Sequence, residues 1–170
     1  GYIGLEIGQA YAGLGSRVTL VEFSPQLLAA ADKDLVQVVV RQCENQFDAI
    51  YTDSRVTKIK KQDQGFQVEM ATKKGDVSHT FSRVLAATGR RPATQDLGLE
   101  ALGIDMDDSG RIAVDDQCRT SLPHIFAVGD VVAGPALAHK AGRQGRVAAE
   151  VIAGKKSAYD NVSVPAVLFT

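Results

Sequence analysis

Apolar positions in the first half of the chain follow two periods in turn. Ile3, Ile7, Ala10, Tyr11 and Leu14 recur at helical spacing in GYIGLEIGQAYAGLGS, which predicts a helix with a left-handed stop at Gly15. Arg17–Glu22 (RVTLVE) is short, apolar and β-branched, the pattern of a buried strand. Asp32 is placed to cap a second helix to about Gln46, with Leu35, Val38, Val39 and Gln42 on one stripe. Four short β segments follow, near Ala49–Tyr51, Arg55–Lys60, Phe66–Thr72 and Val77–Ser82. The turn formers Asp63-Gln64-Gly65 and Lys73-Lys74-Gly75-Asp76 separate the last three as hairpins require. Val84–Ala87 reads as one more strand, ended by Gly89-Arg90-Arg91-Pro92.

The texture changes after Pro92. Asp96–Asp116 is loop-rich, with one hairpin expected around Asp108-Ser109-Gly110. Ile125–Val128 reads as a short buried strand ended by Gly129-Asp130. A helix is predicted from about Leu137 to Ile152 with Gly154 as its stop, and Asp160–Thr170 opens a new extended segment. Alternating helices and strands followed by a meander place the chain in the α/β class.

Composition narrows the function classes. Hydrophobic residues make up 45% and charged residues 23% of 170, which excludes a disordered chain. Lys+Arg 19 against Asp+Glu 20 leaves a formal charge of -1, which argues against nucleic acid or an anionic membrane as the main partner. No apolar run approaches the roughly 18 residues of a membrane span. Cys43 and Cys118 are widely separated and lack metal-ligand spacing, so a reducing, cytoplasmic setting is expected and no metal site. Opening on Gly1 without a Met, the chain looks cut from a longer protein.

The candidate chemistry starts at Gly1. Gly1-Tyr2-Ile3-Gly4 opening into a helix, with Glu22 ending the following strand, matches the second half of a G-x-G-x-x-G dinucleotide turn. Gly1 would let backbone approach a pyrophosphate, and Gly4 would let the helix pack closely on a strand. The helix N-terminus would offer unpaired N–H groups and a positive dipole end. An acidic residue about 20 positions on accepts from ribose hydroxyls. It also repels a 2′-phosphate, since two charges at about 4 Å cost on the order of 1–4 kcal/mol, so NAD is favoured over NADP. Gly-x-x-Gly alone could equally start a tightly packed helix; the strand and Glu22 favour the dinucleotide reading. Gly129-Asp130 at a strand end could admit a second ligand or only make a turn. A lone His139 at a helix start is more often a packing or surface residue than a catalyst.

Together these residues resemble the flavin-dependent pyridine nucleotide–disulfide oxidoreductases, and within them most closely the dihydrolipoamide dehydrogenase branch. The resemblance rests on GYIGLE (Gly1–Glu6), VTLVE (Val18–Glu22), AADKDLV (Ala30–Val36), ATGRRP (Ala87–Pro92), LPHIFAVGDVVAGPALAHKA (Leu122–Ala141) and GRVAAEVIAGKK (Gly145–Lys156). It implies a Rossmann-like, doubly wound NAD-binding domain with a β-meander over 1–91, lacking its first strand. Residues 92–156 would be the returning segment of a Rossmann-like FAD-binding domain, and 157–170 the start of a dimerisation domain. Without that central strand, the 170-residue chain alone is expected to be unstable or to aggregate.

The resemblance also implies roles. Gly1, Tyr2, Ile3, Gly4, Leu5 and Glu6 would hold the NAD pyrophosphate, with Glu6 also pairing with a flavin-side lysine outside this chain. Glu22 would bind the adenosine ribose, Val56 the adenine end by its backbone, and Gly89 the nicotinamide side. Asp130 would bind the ribityl–phosphate region of FAD, and the backbone of Ala136, Leu137, Ala138 and His139 would reach the flavin pyrimidine edge. Ala136 stands where the family usually has Met, and Gln144 near a usual acidic residue, expected on a surface helix. The redox cysteine pair and the catalytic His–Glu pair would lie outside this chain, which then holds no catalytic residue. The implied activity is oxidation of dihydrolipoamide by NAD through FAD and a redox disulfide, in a homodimer serving dihydrolipoyl groups of 2-oxo acid dehydrogenase complexes. A mercuric reductase, an NADH oxidase, a soluble transhydrogenase, a non-catalytic NAD-sensing module and a scaffold within a multienzyme complex remain alternatives.

Overall fold

The structure, a computed structural model, describes residues 1–161 and 163–169. Two compact units are present, Gly1–Gly89 with the chain end from Leu168, and Arg90–Val167.

The first unit begins with helix α1 (Tyr2–Gly13), strand β1 (Thr19–Val21), helix α2 (Lys33–Gln46) and strand β2 (Ala49–Tyr51). Gly15 takes the expected left-handed conformation, φ +91, behind α1. β1 and β2 pair in parallel, Thr19 opposite Ala49 and Val21 opposite Tyr51, with α2 as the crossover such a pair needs. Strands β3 (Arg55–Gln62), β4 (Gly65–Thr72) and β5 (Gly75–Phe81) form a separate antiparallel meander in that order. β3 is an edge strand, exposed along its whole length, and carries Lys58, Lys60 and Lys61.

Gly65 has φ +103, and a Cβ there would be driven into the Phe81 carbonyl oxygen. Gly65→Ala is expected to cost about 1–3 kcal/mol from backbone strain alone, before the clash is added. Urea midpoints of the two proteins measure it, and equal midpoints would show that the turn relaxes.

Leu5, Leu27, Leu28, Val36, Cys43 and Phe47 make the core of this unit. The buried faces of both helices differ from the expected stripes. α1 buries Leu5, Gly8 and Gln9, while Ile3, Ile7, Tyr11 and Leu14 are exposed. α1 is apolar on most sides, so periodicity does not choose its face; Gly8 does. A Cβ on Gly8 would lie 3.0 Å from the Phe47 ring and 3.6 Å from Val18. In α2 the core takes Val36 and Cys43, and Leu35 and Val38 face outward. Asp32 sits at the N-cap with extended backbone but makes no side-chain capping bond. Val84–Ala87 is not a strand: Val84 and Leu85 are exposed, and among the described residues no ladder runs beside them.

The second unit has little regular structure before helix α3 (Ala138–Ile152), which Gly154 ends at φ +80. Ile104, Ile112, Ala127 and Val132 form one small core, and Cys118, Val147, Ala148 and Val151 another. The hairpin expected around Asp108-Ser109-Gly110 is closed by a Met106–Ile112 bridge. Asp107 Oδ1 accepts from Ser109 N and Arg111 N, both at 2.9 Å, and Gly110 is left-handed at φ +79. Eight positions on, Asp115 Oδ1 accepts from Gln117 N at 2.9 Å and Arg119 N at 2.8 Å, and Cys118 takes the left-handed place at φ +63. These are two copies of a three-residue hairpin loop. Ile125–Val128 is not a strand; it is tied by the Arg119–Phe126 bridge, too short a ladder to propagate. The expected extended segment Asp160–Thr170 forms no strand over 160–161 and 163–169; Val162 and Thr170 lie outside the described residues.

Candidate functional site

In the first unit the relevant end is the start of α1. Its first helical bond runs from Leu5 N to Gly1 O at 3.3 Å, so the amides of Tyr2, Ile3 and Gly4 have no partner within the helix. A Cβ on Gly1 would meet nothing within 4 Å, which leaves this amide end open. At Gly4 it would make only ordinary contact with Ala87, at 3.5 Å.

Glu22 lies just past β1 and is tied to the end of β2. Its N–H donates to Tyr51 O at 2.8 Å, and its carbonyl accepts from Ser54 N at 3.0 Å. Its carboxylate faces the start of α1, with Oε2 3.3 Å from Gly1 N and Oε1 accepting from Ser24 N at 2.9 Å. Burial pushes the Glu22 carboxyl up, and the Ser24 amide, together with the terminal amino group of Gly1 in this chain, outweighs that push and lowers it.

The other residues expected at this site divide. Val56 follows Ser54 by two positions, half-exposed on β3 beside a register slip between Val56 and Lys58. Gly89 is left-handed at φ +121 with open space where a Cβ would be. Leu5 is fully buried core, and Glu6 accepts from Phe169 N at 2.9 Å. Next to Glu22 a shallow cleft is lined by Phe23, Asp53, Arg55 and Lys73. The Arg55 guanidinium stands 5.0 Å from the Phe23 ring centre, and Lys73 pairs with Asp53 at 2.5 Å.

In the second unit Gly129–Val131 form a single 3₁₀ turn that carries Asp130. The Asp130 carboxylate is exposed and accepts from Arg90 Nη1 at 3.1 Å. Gly129 has φ +80, and its missing Cβ would lie 3.1 Å from Ala141 Cβ. The Gly129 N–H donates to Gln144 Oε1 at 2.9 Å, and its carbonyl accepts from Lys140 Nζ at 3.1 Å. Lys140 Nζ also donates to Ala133 O at 2.9 Å. Both side chains come from α3 and are almost completely buried, at 2% and 4% exposure. Gln144 is therefore not a surface residue: it satisfies an N–H that would otherwise be buried without a partner. Burial pushes the Lys140 pKa down, opposed in part by the Asp130 charge.

The start of α3 leaves the amides of Ala138, His139 and Lys140 without helical acceptors, whereas Leu137 N is engaged by Pro135 O at 3.0 Å. Ala136 is exposed. His139 Nε2 donates to Pro165 O at 2.7 Å, so its ring is held by the backbone. Cys43 and Cys118 are free and buried, and burial pushes both thiols up, away from the reactive thiolate.

The structure thus gathers Gly1–Gly4, Glu22 and Val56 in one unit, and Asp130 with the first turn of α3 in the other. Lys140, Gln144 and Ser24 escape the sequence patterns. A signal for Lys140 does exist: a cation in the first turn of a helix opposes the helix dipole, so its presence there calls for specific acceptors.

Residues 1–145 match the family model described as pyridine nucleotide-disulphide oxidoreductase. The chain is 42% identical over 170 residues to a dihydrolipoyl dehydrogenase of Geobacillus stearothermophilus, covering all of this chain and 36% of that protein. It is 38% identical over 171 residues to the enzyme of that name from Bacillus subtilis, with the same coverage. Among solved structures, LpdA from Mycobacterium tuberculosis superposes with a TM-score of 0.88 at 29% identity, over 99% of this chain and 36% of that one. The HOCl-induced flavoprotein disulfide reductase RclA from Escherichia coli gives 0.83 at 27%, over 94% of this chain and 36% of that one. This chain spans about a third of the length of these relatives. By its motifs, its parallel crossover and meander, and these matches, the chain belongs to the pyridine nucleotide-disulphide oxidoreductase family.

Proposed function

We propose that the chain is part of an NAD-dependent flavoprotein, a dihydrolipoyl dehydrogenase, in which the first unit binds NAD and the second completes an FAD site. Residues 1–91 are read as the NAD-binding domain, 92–156 as the returning segment of the FAD domain and 157–170 as the start of a dimerisation domain. The observation that carries the reading is the Glu22 carboxylate, aimed by Ser24 N at the open amide end of α1. An anion at those amides and a sugar hydroxyl at Glu22 are the two ends a dinucleotide presents.

The residues present fit both groups. For NAD, Gly1 leaves the amides of Tyr2, Ile3 and Gly4 unobstructed, Glu22 accepts from ribose hydroxyls, and Val56 and Gly89 are exposed backbone positions. For FAD, the exposed Asp130 carboxylate is an acceptor for hydroxyls, and the Ala138 and His139 amides at the start of α3 are donors. When bound, flavin and nicotinamide supply the hydride chemistry, and the protein holds and orients them. The whole-protein reaction proposed is dihydrolipoamide + NAD⁺ → lipoamide + NADH + H⁺, with dihydrolipoyl groups of 2-oxo acid dehydrogenase complexes as partners and a cytoplasmic homodimer as the working form.

The test is the full-length protein itself. It should purify yellow, bleach with NADH far faster than with NADPH, and reduce NAD with dihydrolipoamide. A colourless protein that ignores NADH removes the reading, and a yellow one inert to dihydrolipoamide moves the substrate to another disulfide-reductase class.

Glu22 also gives a pH dependence. The Ser24 amide bonded to its carboxylate favours the ionised form, the one that accepts ribose hydroxyls. NAD affinity is expected to be level around neutrality and to fall only in the acid range where Glu22 protonates. Titration of NAD binding against pH measures this, and a fall centred near neutrality would assign the dependence to another group.

A further inference from the structure

We infer that Lys140 and Gln144 form a two-sided clamp on Gly129 that aims the Asp130 carboxylate at the bound flavin nucleotide, which makes Lys140 a positioning residue for the cofactor. The inference rests on the FAD reading above and concerns only residues of the second unit.

Lys140 and Gln144 stand four residues apart, on one face of α3. Between them they occupy both backbone polar groups of Gly129, one in each peptide unit flanking its Cα, Gln144 the N–H at 2.9 Å and Lys140 the carbonyl at 3.1 Å. The second Lys140 bond, to Ala133 O at 2.9 Å, fixes the far end of the same loop. Gly134 follows at φ +99, and its missing Cβ would sit 3.4 Å from Lys140 Nζ, so the loop wraps the ammonium closely. Burying an ammonium is costly and at a helix N-terminus doubly so, unless carbonyl dipoles satisfy it. Here two do.

Asp130 lies inside the clamped loop and carries its only ionisable side chain. With Gly129 pinned on both sides, the direction of the Asp130 Cα–Cβ bond follows α3. α3 also offers the first-turn amides proposed to reach the flavin. The clamp therefore locks two contacts of one ligand, a carboxylate and a helix N-terminus, to the same rigid element. Neither Lys140 nor Gln144 needs to touch the ligand.

FAD titration of the full-length apoprotein tests this with Lys140→Met, Asp130→Ala and the double variant. Each single change should raise the FAD dissociation constant roughly 10- to 100-fold. The double variant should be no worse than the weaker-binding single, because Lys140 acts through Asp130. Gln144→Glu, which keeps an acceptor for Gly129 N, should bind like the parent. If Lys140→Met does not fold, as judged by its urea transition, Gln144→Leu replaces it in the same cycle. Multiplicative losses in the double variant, or parental affinity in Lys140→Met, would overturn the clamp while leaving the flavoprotein reading intact. A parent apoprotein that takes up no FAD overturns both.

Discussion

Replacing Glu22 with Arg in the full-length protein should shift the ratio of kcat/KM for NAD over NADP by roughly 10- to 1,000-fold towards NADP. Two effects add. The change removes a carboxylate that is ionised near neutrality and is aimed at the ribose position by Ser24 N at 2.9 Å. It also introduces a guanidinium suited to a phosphate fork. A 2′-phosphate beside Glu22 would suffer repulsion on the order of 1–4 kcal/mol per charge pair, and beside Arg it would gain a charge-assisted bond. In the adjoining cleft Arg55 supplies a cation, while Lys73 there is paired with Asp53. Steady-state rates with both coenzymes decide the matter, and unchanged selectivity would remove the role given to Glu22.

Gly129→Val should yield a full-length protein that folds but purifies without flavin. A β-branched residue at φ +80 is a genuine backbone outlier, with a cost of about 1–3 kcal/mol. Its Cβ would also come within 3.1 Å of Ala141 on α3, where the helix backbone cannot retreat. The cheapest relief is a change in both Gly129 backbone dihedrals, which turns its N–H and its C=O away from Gln144 and Lys140 and swings Asp130 away. Visible absorbance per protein, read beside the thermal transition, separates loss of cofactor from loss of fold. Full flavin content would show that the turn tolerates a side chain.

The parts of the fold most legible in the sequence are those set by turn chemistry. β2 and the three meander strands lie where the alternation and Gly65 and Gly75 place them, and α3 ends at Gly154 as its pattern requires. The faces of α1 and α2 were not legible, because Ile3, Ile7 and Tyr11 are as apolar as Leu5. Only the approach of Phe47 to Gly8 selects the buried side. The second hairpin, at Asp115, is hidden for a local reason: Cys118 stands where Gly110 stands in the first, and cysteine carries no turn signal. Val84–Ala87 has strand composition without a strand, since pairing is a property of neighbours and not of a segment. The spacing to Gly1 singles out Glu22 as a candidate, but nothing in the sequence pattern marks the Ser24 amide that binds its carboxylate. Lys140 and Gln144 act by burial, which neither period nor composition encodes for polar residues.

The lysine-bearing outer strand β3, one of two at the edges of the meander, has a bearing on handling the protein. β3 offers unpaired backbone groups to any second molecule, yet Lys58, Lys60 and Lys61 place like charges wherever two such rims would meet. That repulsion guards against stacking of one molecule on the next. Salt weakens the guard by screening, and acylation of the lysines removes it, so crowded or chemically labelled preparations are those in which ribbon-like assembly should begin.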